Sequence, residues 1–272
     1  MKPFFQKHPL LFAHRGCSIE YPENTFPAFQ HAVNLGIDVL EIDVRLTADE
    51  QLVVFHDSQL GRVSNGAGDV LNLTLGQLKE INAGYNFSPD GKTFPYREQK
   101  LEIPELGHLF QLFPGIRFNI DIKDKNKRAV RKLWKIICES GMQEKVVVGS
   151  FHSENILNFR KLSSSTVATS ASQSEVVKFY FFRFFRRLVK FRFDFDALQI
   201  PVRFSVFKLA TSSLLKFAHQ AGLVVHYWTV NDPVEMQQLL KLGADGIMTD
   251  NPQLVMEQYK LWKKAQEINL TF

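Results

Sequence analysis

Two rhythms of apolar residues alternate along this chain. Short, nearly continuous apolar runs are followed by stretches in which apolar residues return every three or four positions. The first pattern suits strands buried on both faces, and the second suits amphipathic helices. Residues 10–13 form the first run. Phe26, Ala28, Phe29, Ala32 and Val33 follow at helical spacing, with Asn24 or Thr25 as N-cap, Pro27 in the first turn and Gly36 at the end. A second run, 37–46, completes a βαβ unit and so predicts a parallel sheet. A third run, 52–56, comes after a link too short for a crossover helix, which predicts an antiparallel hairpin.

From residue 104 the alternation is regular. Strands are predicted over 117–123, 145–151, 166–169, 196–201, 223–230 and 245–249. Helices are predicted over 104–112, 128–140, 153–162, 212–221, 233–242 and 253–266. Eight parallel-type strands in a chain of this length predict an α/β fold, a TIM (β/α)8 barrel. An open doubly wound sheet is the alternative, but no glycine-rich dinucleotide loop follows the first strand. Residues 58–104 break the rhythm with Asn65-Gly66, Gly84, Pro89-Asp90-Gly91 and Pro95, and hold one short helical stretch near 74–82. They still contain Leu71, Leu73, Leu75, Leu78, Ile81, Tyr85 and Phe87, so they read as an inserted lobe over the sheet end. The expected division is a barrel from 1–57 and 105–272, with the lobe at 58–104.

Composition changes this picture little. The 272 residues are 45% apolar and 22% charged, ordinary for a globular protein. Two cysteines, Cys17 and Cys138, give neither a disulfide framework nor metal-ligand spacing. The amino-terminal stretch has no apolar leader and no run reaches membrane-spanning length, so the expectation is a cytoplasmic protein. The net charge of +5 is uneven: six basic residues fall within 178–192, more than the whole excess.

The chemistry lies at the predicted strand ends. Glu41 and Asp43 sit two apart in an apolar run, so a strand sends both from one face. Two like charges on a buried face are costly, and a cation between them is the cheapest remedy. In a barrel, the C-terminal strand ends would also gather His14 and Arg15, Asp121 and Lys123, Trp228 and Asn231, with His56 returned by the hairpin. Glu41, Asp43 and Asp121 offer hard oxygen ligands for one divalent cation, Mg²⁺ or Ca²⁺. Arg15 offers a planar fork for phosphate oxygens and Lys123 a point charge. His14 and His56 would divide general base and general acid, one activating a water or substrate hydroxyl, the other protonating the leaving alkoxide. The sum is hydrolysis of a phosphodiester.

Seven motifs then stand in order: HRG at 14–16, PENT at 22–25, ExDVxxT at 41–47, VVxHD at 53–57, DxK at 121–123, WTVN at 228–231 and DGIMTDNP at 245–252. Together they resemble the glycerophosphodiester phosphodiesterases over about residues 10 to 255. The resemblance implies a TIM barrel with a lobe after the second strand. It also implies metal-dependent cleavage of glycerophosphodiesters to glycerol 3-phosphate and an alcohol. It makes His14 and His56 the catalytic pair, Glu41, Asp43 and Asp121 the acidic metal positions, and Arg15 and Lys123 phosphate contacts. Trp228 becomes an aromatic wall of the substrate pocket. Asp121 departs from the family, where that acid is often Glu.

Other residues read as structural: Asn24 as a helix cap, Asp245 and Asp250 as turn and cap residues, His152 and His226 as packing histidines, Cys17 as a bystander. Glu23 is also left out of the site. In 174–196, Arg183, Arg186, Arg187 and Lys190 fall on one helical side and Phe181, Phe184, Phe185 and Leu188 on the other. A basic, Phe-rich helix over 176–193 suits peripheral contact with an anionic membrane surface; packing on the barrel or a partner subunit is the other reading. Its dense aromatics argue against nucleic acid. Membrane contact would favour lysophospholipase D-type cleavage of a lysolipid over a small soluble diester. A phospholipase C-type or sphingomyelinase D-type barrel and a non-catalytic membrane-binding barrel are the competing readings; the head group, the acyl chain and the oligomeric state stay open.

Overall fold

The computed structural model describes residues 2–184 and 192–270. Strand β1 (Leu10–His14), helix α1 (Phe26–Asn34) and strand β2 (Val39–Leu46) form the first unit, and β3 (Leu52–Val54) folds back antiparallel on β2 with Val44 opposite Val54. Helices α2 (Leu75–Leu78) and α3 (Leu106–Leu112) lead to β4 (Arg117–Ile122), α4 (Lys127–Glu139), β5 (Val146–Gly149), α5 (Ser153–Leu162), β6 (Ala168–Thr169) and α6 (Gln173–Phe184). Strand β7 (Ala197–Pro201) is followed by a small hairpin, β8 (Arg203–Phe204) and β9 (Phe207–Lys208). Helix α7 (Ser212–Gln220), β10 (Val224–Trp228), α8 (Pro233–Leu242), β11 (Gly246–Thr249) and α9 (Pro252–Leu270) complete the chain.

Eight of these strands pair in parallel in the order β6-β5-β4-β2-β1-β11-β10-β7. The two ends meet at a parallel bridge between Ser170 and Ala197, where the Ala171 N–H donates to the Ala197 carbonyl. The sheet is therefore a barrel, and helices carry the chain between its strands. Strand β6 keeps only two residues of the expected 166–169, because its ladder to β5 stops after Val148 pairs with Thr169. The hairpin β8–β9 has no counterpart in the sequence reading. Its two-residue strands are shorter than any apolar periodicity can report.

Alternation along the strands divides the core in two. Leu40, Ile42 and Val44 of β2 face the helices and join the large apolar layer around the barrel. Val39, with Leu10, Phe12, Val147, Ala197, Val224 and Met248, fills the interior. A 3₁₀ turn at Pro3–Phe5 inserts Phe4 and Phe5 into that interior. His226 lies among these rings, 4.7 Å from Phe12 and 5.7 Å from Phe5 between ring centroids, and its Nδ1 accepts from Gln199 Nε2 at 3.3 Å. Burial lowers its pKa to about 3, so it is a neutral packing group.

Residues 58–104 pack around a smaller apolar cluster of Leu60, Val70, Leu78, Ala83 and Ile103 against Val53 and Phe55. Thr74 and Gln77 close a capping box on α2, which ends at Leu78, short of the expected 82. In α6, Phe179 is fully buried against Phe217, while Val177 and Phe181 are exposed. Arg183 donates to the Ser213 hydroxyl at 3.2 Å. The rest of the basic-aromatic reading, 185–191, lies outside the described residues.

Gly246 marks how tight the interior is. A Cβ there would stand 2.7 Å from both His226 Cδ2 and Phe12 Cε2. Gly246→Ala is expected to cost about 1–3 kcal/mol by overpacking, read as a lower denaturant midpoint at unchanged m.

Candidate active site

The interior face that carries Val39 continues up β2 as Glu41 and Asp43, both buried. Asp43 is 1% exposed and draws three partners from three elements. Arg15, just past β1, places Nε 3.1 Å from its Oδ2. Lys123, just past β4, places Nζ 2.8 Å from its Oδ1. Asn24 donates to Oδ2 at 3.0 Å. Burial alone would push the Asp43 carboxyl up; the charges of Lys123 and Arg15 outweigh it and hold the group below its ordinary value.

Strand register explains this convergence. Glu41 is level with His14 on β1, and Asp121 is level with Asp43 on β4. Beyond His14 the backbone turns through the left-handed region at Arg15 (φ 57°) and Gly16 (φ 85°). A Cβ at Gly16 would stand 2.8 Å from the Ala28 backbone, so this turn needs glycine. The turn aims the Arg15 N–H at both the Glu41 carbonyl and Glu41 Oε2, at 3.0 and 3.1 Å. Asn24, read as a cap, has φ 56° and its side chain turned inward to Asp43; Thr25 is the N-cap of α1, its hydroxyl donating back to the Pro22 carbonyl at 2.6 Å and not capping the helix.

Each predicted histidine has an aspartate at Nδ1. His14 Nδ1 lies 2.6 Å from Asp250 Oδ1, and His14 Nε2 lies 3.9 Å from Glu41 Oε2. Asp250 is held in turn by the Ser18 hydroxyl at 3.1 Å and by Asn231 at 2.6 Å. His56 Nδ1 lies 2.6 Å from Asp57 Oδ1, and Arg62 pairs with both Asp57 and Glu23. Glu23 also accepts from Arg15 at 3.0 Å. The two imidazoles are pushed apart. Burial lowers His14, but the Asp250 hydrogen bond and the Glu41 charge prevail and its pKa is raised above 6.5. Burial also lowers His56; Arg15 and Lys123 act with it against Asp43 and Asp57, and its pKa falls below 6.5.

The three acids share one rim but not one chelating cluster. Lys123 Nζ stands between Asp43 and Asp121, 2.6 Å from Asp121 Oδ2. Among the described residues, the oxygens of Glu41, Asp43 and Asp121 do not all lie within 4.8 Å of one another. The donor set nevertheless fits a hard cation in type. Burial and the Asp43 charge push the Glu41 carboxyl up to about 7, and the three acids outnumber the two cations, Arg15 and Lys123, that reach them. A cleft of about 670 Å³ opens beside this rim, lined by His56, Lys123, Arg45 and Arg62 among others. Trp228, half-buried at the end of β10, packs edge-on to Phe151 at 6.5 Å, and Lys123 Nζ lies 5.9 Å from the Phe151 ring.

The sequence reading named His14, Arg15, Glu41, Asp43, His56, Asp121, Lys123, Trp228 and Asn231, and the fold brings all of them to this end of the barrel. It missed Asp250, Asp57, Glu23, Asn24, Arg62 and Phe151. Asp250 and Asn24 are corrections: neither serves mainly as a cap. The available signal was their place inside the DGIMTDNP and PENT motifs, directly after a strand end or before a helix.

The sequence matches the model of the glycerophosphoryl diester phosphodiesterase family over residues 14–254. A glycerophosphodiester phosphodiesterase of Caldanaerobacter subterraneus is 31% identical over 252 residues, covering 91% of this chain and 96% of that one. A lysophospholipase D of Mus musculus is 28% identical over 271 residues, covering 92% and 84%. A phosphodiesterase structure from Oleispira antarctica, solved with sn-glycerol-3-phosphate, superposes with TM-score 0.76 at 24% identity over 93% of this chain and 97% of that one. A phosphodiesterase domain from Mycobacterium tuberculosis gives TM-score 0.81 at 21% identity over 92% and 99%.

Replacing Lys123 by Met leaves Asp43 buried with less counter-charge. Lys123→Met is expected to cost roughly 3 kcal/mol, measured by urea unfolding. Conversion of Lys123 to Arg should recover part of that loss, because the charge is kept.

Proposed function

We propose, on the premise that this chain belongs to the glycerophosphoryl diester phosphodiesterase family, that it hydrolyses glycerophosphodiesters to glycerol 3-phosphate and an alcohol. One observation carries the reading. Two imidazoles, each fixed by an aspartate at Nδ1, flank a buried Glu41–Asp43 pair whose cations come from neighbouring strands.

His56, held mostly neutral, is the general base: it takes the proton from the attacking water or from a neighbouring substrate hydroxyl. His14, whose protonated form Asp250 and Glu41 favour, is the general acid that delivers a proton to the leaving alkoxide. Asp250 and Asp57 are positioning residues, since each holds one imidazole in the tautomer that leaves Nε2 for the substrate. Arg15 spends Nε and Nη1 on Asp43 and Glu23, which leaves Nη2 for a phosphoryl oxygen, and Lys123 keeps one N–H for another. Trp228 and Phe151 wall the pocket on the alcohol or acyl side. Glu41 and Asp43, with Asp121 once Lys123 shifts, would hold one Mg²⁺ or Ca²⁺, which when bound polarises the phosphoryl group and balances the acids. The barrel carries these groups, and residues 58–104 form a lobe that supplies the Arg62 side of the cleft. The lysolipid reading has its own support: Phe151 at the rim is 59% exposed and extends the aromatic wall outward. No helix among the described residues is long and apolar enough to cross a membrane.

Release of choline from glycerophosphocholine is the direct test. His14→Ala and His56→Ala should each lower kcat by roughly 10²–10⁴-fold with the fold intact. A chelator should abolish turnover and added Mg²⁺ or Ca²⁺ restore it; activity unchanged by the chelator removes the ion from the scheme. The pH profile of kcat/KM should be a bell. Its acid limb, where His56 loses its proton, lies below 6.5, and its alkaline limb, where His14 loses its proton, lies above 6.5. Asp250→Asn removes a group that raises His14, so the alkaline limb should move to lower pH while the acid limb stays.

A further inference from the structure

The hairpin β8–β9 is built against the usual order of a solvated loop. Its tip carries Phe204, Val206 and Phe207, 69%, 82% and 67% exposed. Phe204 is directly opposite Phe207, and one step back Arg203 is directly opposite Lys208. A two-stranded hairpin of this length is barely stable alone, and like charges facing each other on its ladder weaken it further. Water rewards neither feature. Both fit a surface that takes apolar rings inward and meets cations with anions at the level behind them.

Its place in the fold gives that surface an address. One residue, Val202, separates the hairpin from the C-terminal end of β7 at Pro201, which is level with Trp228 of the site. On the same rim, Phe151 in the loop after β5 and Val234 in the first turn of α8 are 59% and 62% exposed. Arg183, at the end of α6, reaches the first turn of α7 and adds a cation to this end. Exposed large apolar groups on separate segments of one rim mark a contact surface and not scattered surface residues.

We propose that the β8–β9 hairpin is an interfacial anchor for a lipid surface bearing anionic headgroups. Phe204, Val206 and Phe207 enter the headgroup–acyl boundary, and Arg203 and Lys208 pair with the headgroups behind them. Docked this way, the rim carrying His14, His56 and Trp228 faces the layer in which the phosphodiester of a lysolipid lies. That second step rests on the phosphodiesterase reading above; the anchoring does not.

The test is cosedimentation of the full chain at low salt with vesicles of phosphatidylcholine and phosphatidylglycerol, and with vesicles of phosphatidylcholine alone. Glycerophosphocholine hydrolysis is followed in parallel. Wild type should bind the mixed vesicles. The Phe204→Ser, Val206→Ser, Phe207→Ser triple variant should partition at least about tenfold more weakly. Arg203→Glu with Lys208→Glu should lose the preference for anionic vesicles. Both variants should hydrolyse glycerophosphocholine as wild type does, which shows that they are folded. Equal vesicle binding by wild type and the triple variant, or no binding by wild type, overturns the anchor. So does a wild-type dimer that the triple variant converts to monomer by light scattering, since the hairpin would then be a protein interface. Binding that follows the hairpin in a chain that cleaves neither glycerophosphocholine nor lysophosphatidylcholine keeps the anchor and overturns the reaction.

Discussion

The carboxylate of Asp43 is the constraint on which the site depends. At 1% exposure it remains charged only because Arg15 and Lys123 reach it from the strands on either side of β2 and Asn24 donates to it. Those partners lie in reach because β1, β2 and β4 are adjacent and in register at this height. A shift of one residue in either ladder would turn the side chains concerned to the opposite face of the sheet. Strand order and active-site electrostatics are therefore one requirement seen from two sides. The charge count adds a second consequence. Glu41, Asp43 and Asp121 bring three negative charges against the two positive charges of Arg15 and Lys123. Burial first, and then the charge of Asp43, push Glu41 up to about 7. A rim with that imbalance attracts cations by construction.

The same field separates two chemically identical imidazoles. Each has an aspartate at Nδ1 at 2.6 Å, so the aspartates alone would treat them alike. The difference comes from what else is near. Arg15 lowers both; His14 also feels Glu41, which raises it, while at His56 burial and the cations Arg15 and Lys123 outweigh the charge of Asp43. Burial also differs in kind. His14 ends a core strand, while His56 lies two residues beyond β3, beside a cleft. Opposite shifts of two like imidazoles thus arise from position relative to one ionic cluster.

Much of this was legible in the sequence because it is local. The two-apart spacing of Glu41 and Asp43 in an apolar run dictates a shared face. The short link at 47–51 dictates the hairpin that returns His56, and the repeated strand–helix rhythm dictates the barrel. What stayed hidden depends on contacts that no local rule reports. Asp250 meets His14 across 236 positions of sequence, and only closure of the barrel through β1 and β11 makes them neighbours. Asn24 stands where a cap is common, but its left-handed backbone turns the side chain inward to Asp43. Asp121 keeps its carboxylate but spends it on Lys123, a partner two residues away that spacing alone cannot distinguish from a phosphate contact. The hairpin at 203–208 was invisible because four paired residues make no period.

Along the barrel axis the environments form a sequence with a physical logic. At the N-terminal end Phe4 and Phe5 seal an interior of Leu10, Phe12, Val39 and Val224, dry enough to hold His226 neutral. This apolar floor excludes water from beneath the carboxylates, and low polarity there is what makes each ionic contact at the rim strong. Above it lie the ions, matched across three strands. Beyond the ions the chain turns apolar again, at Phe151, Phe204, Val206 and Phe207. Nothing in the folding of the barrel requires that last change, since these side chains remain largely exposed and bury little of their own surface. Apolar groups left in water beyond a finished core are an energetic disadvantage in isolation. Their presence at the mouth of the charged site, and not at its sealed end, ties them to whatever approaches that mouth.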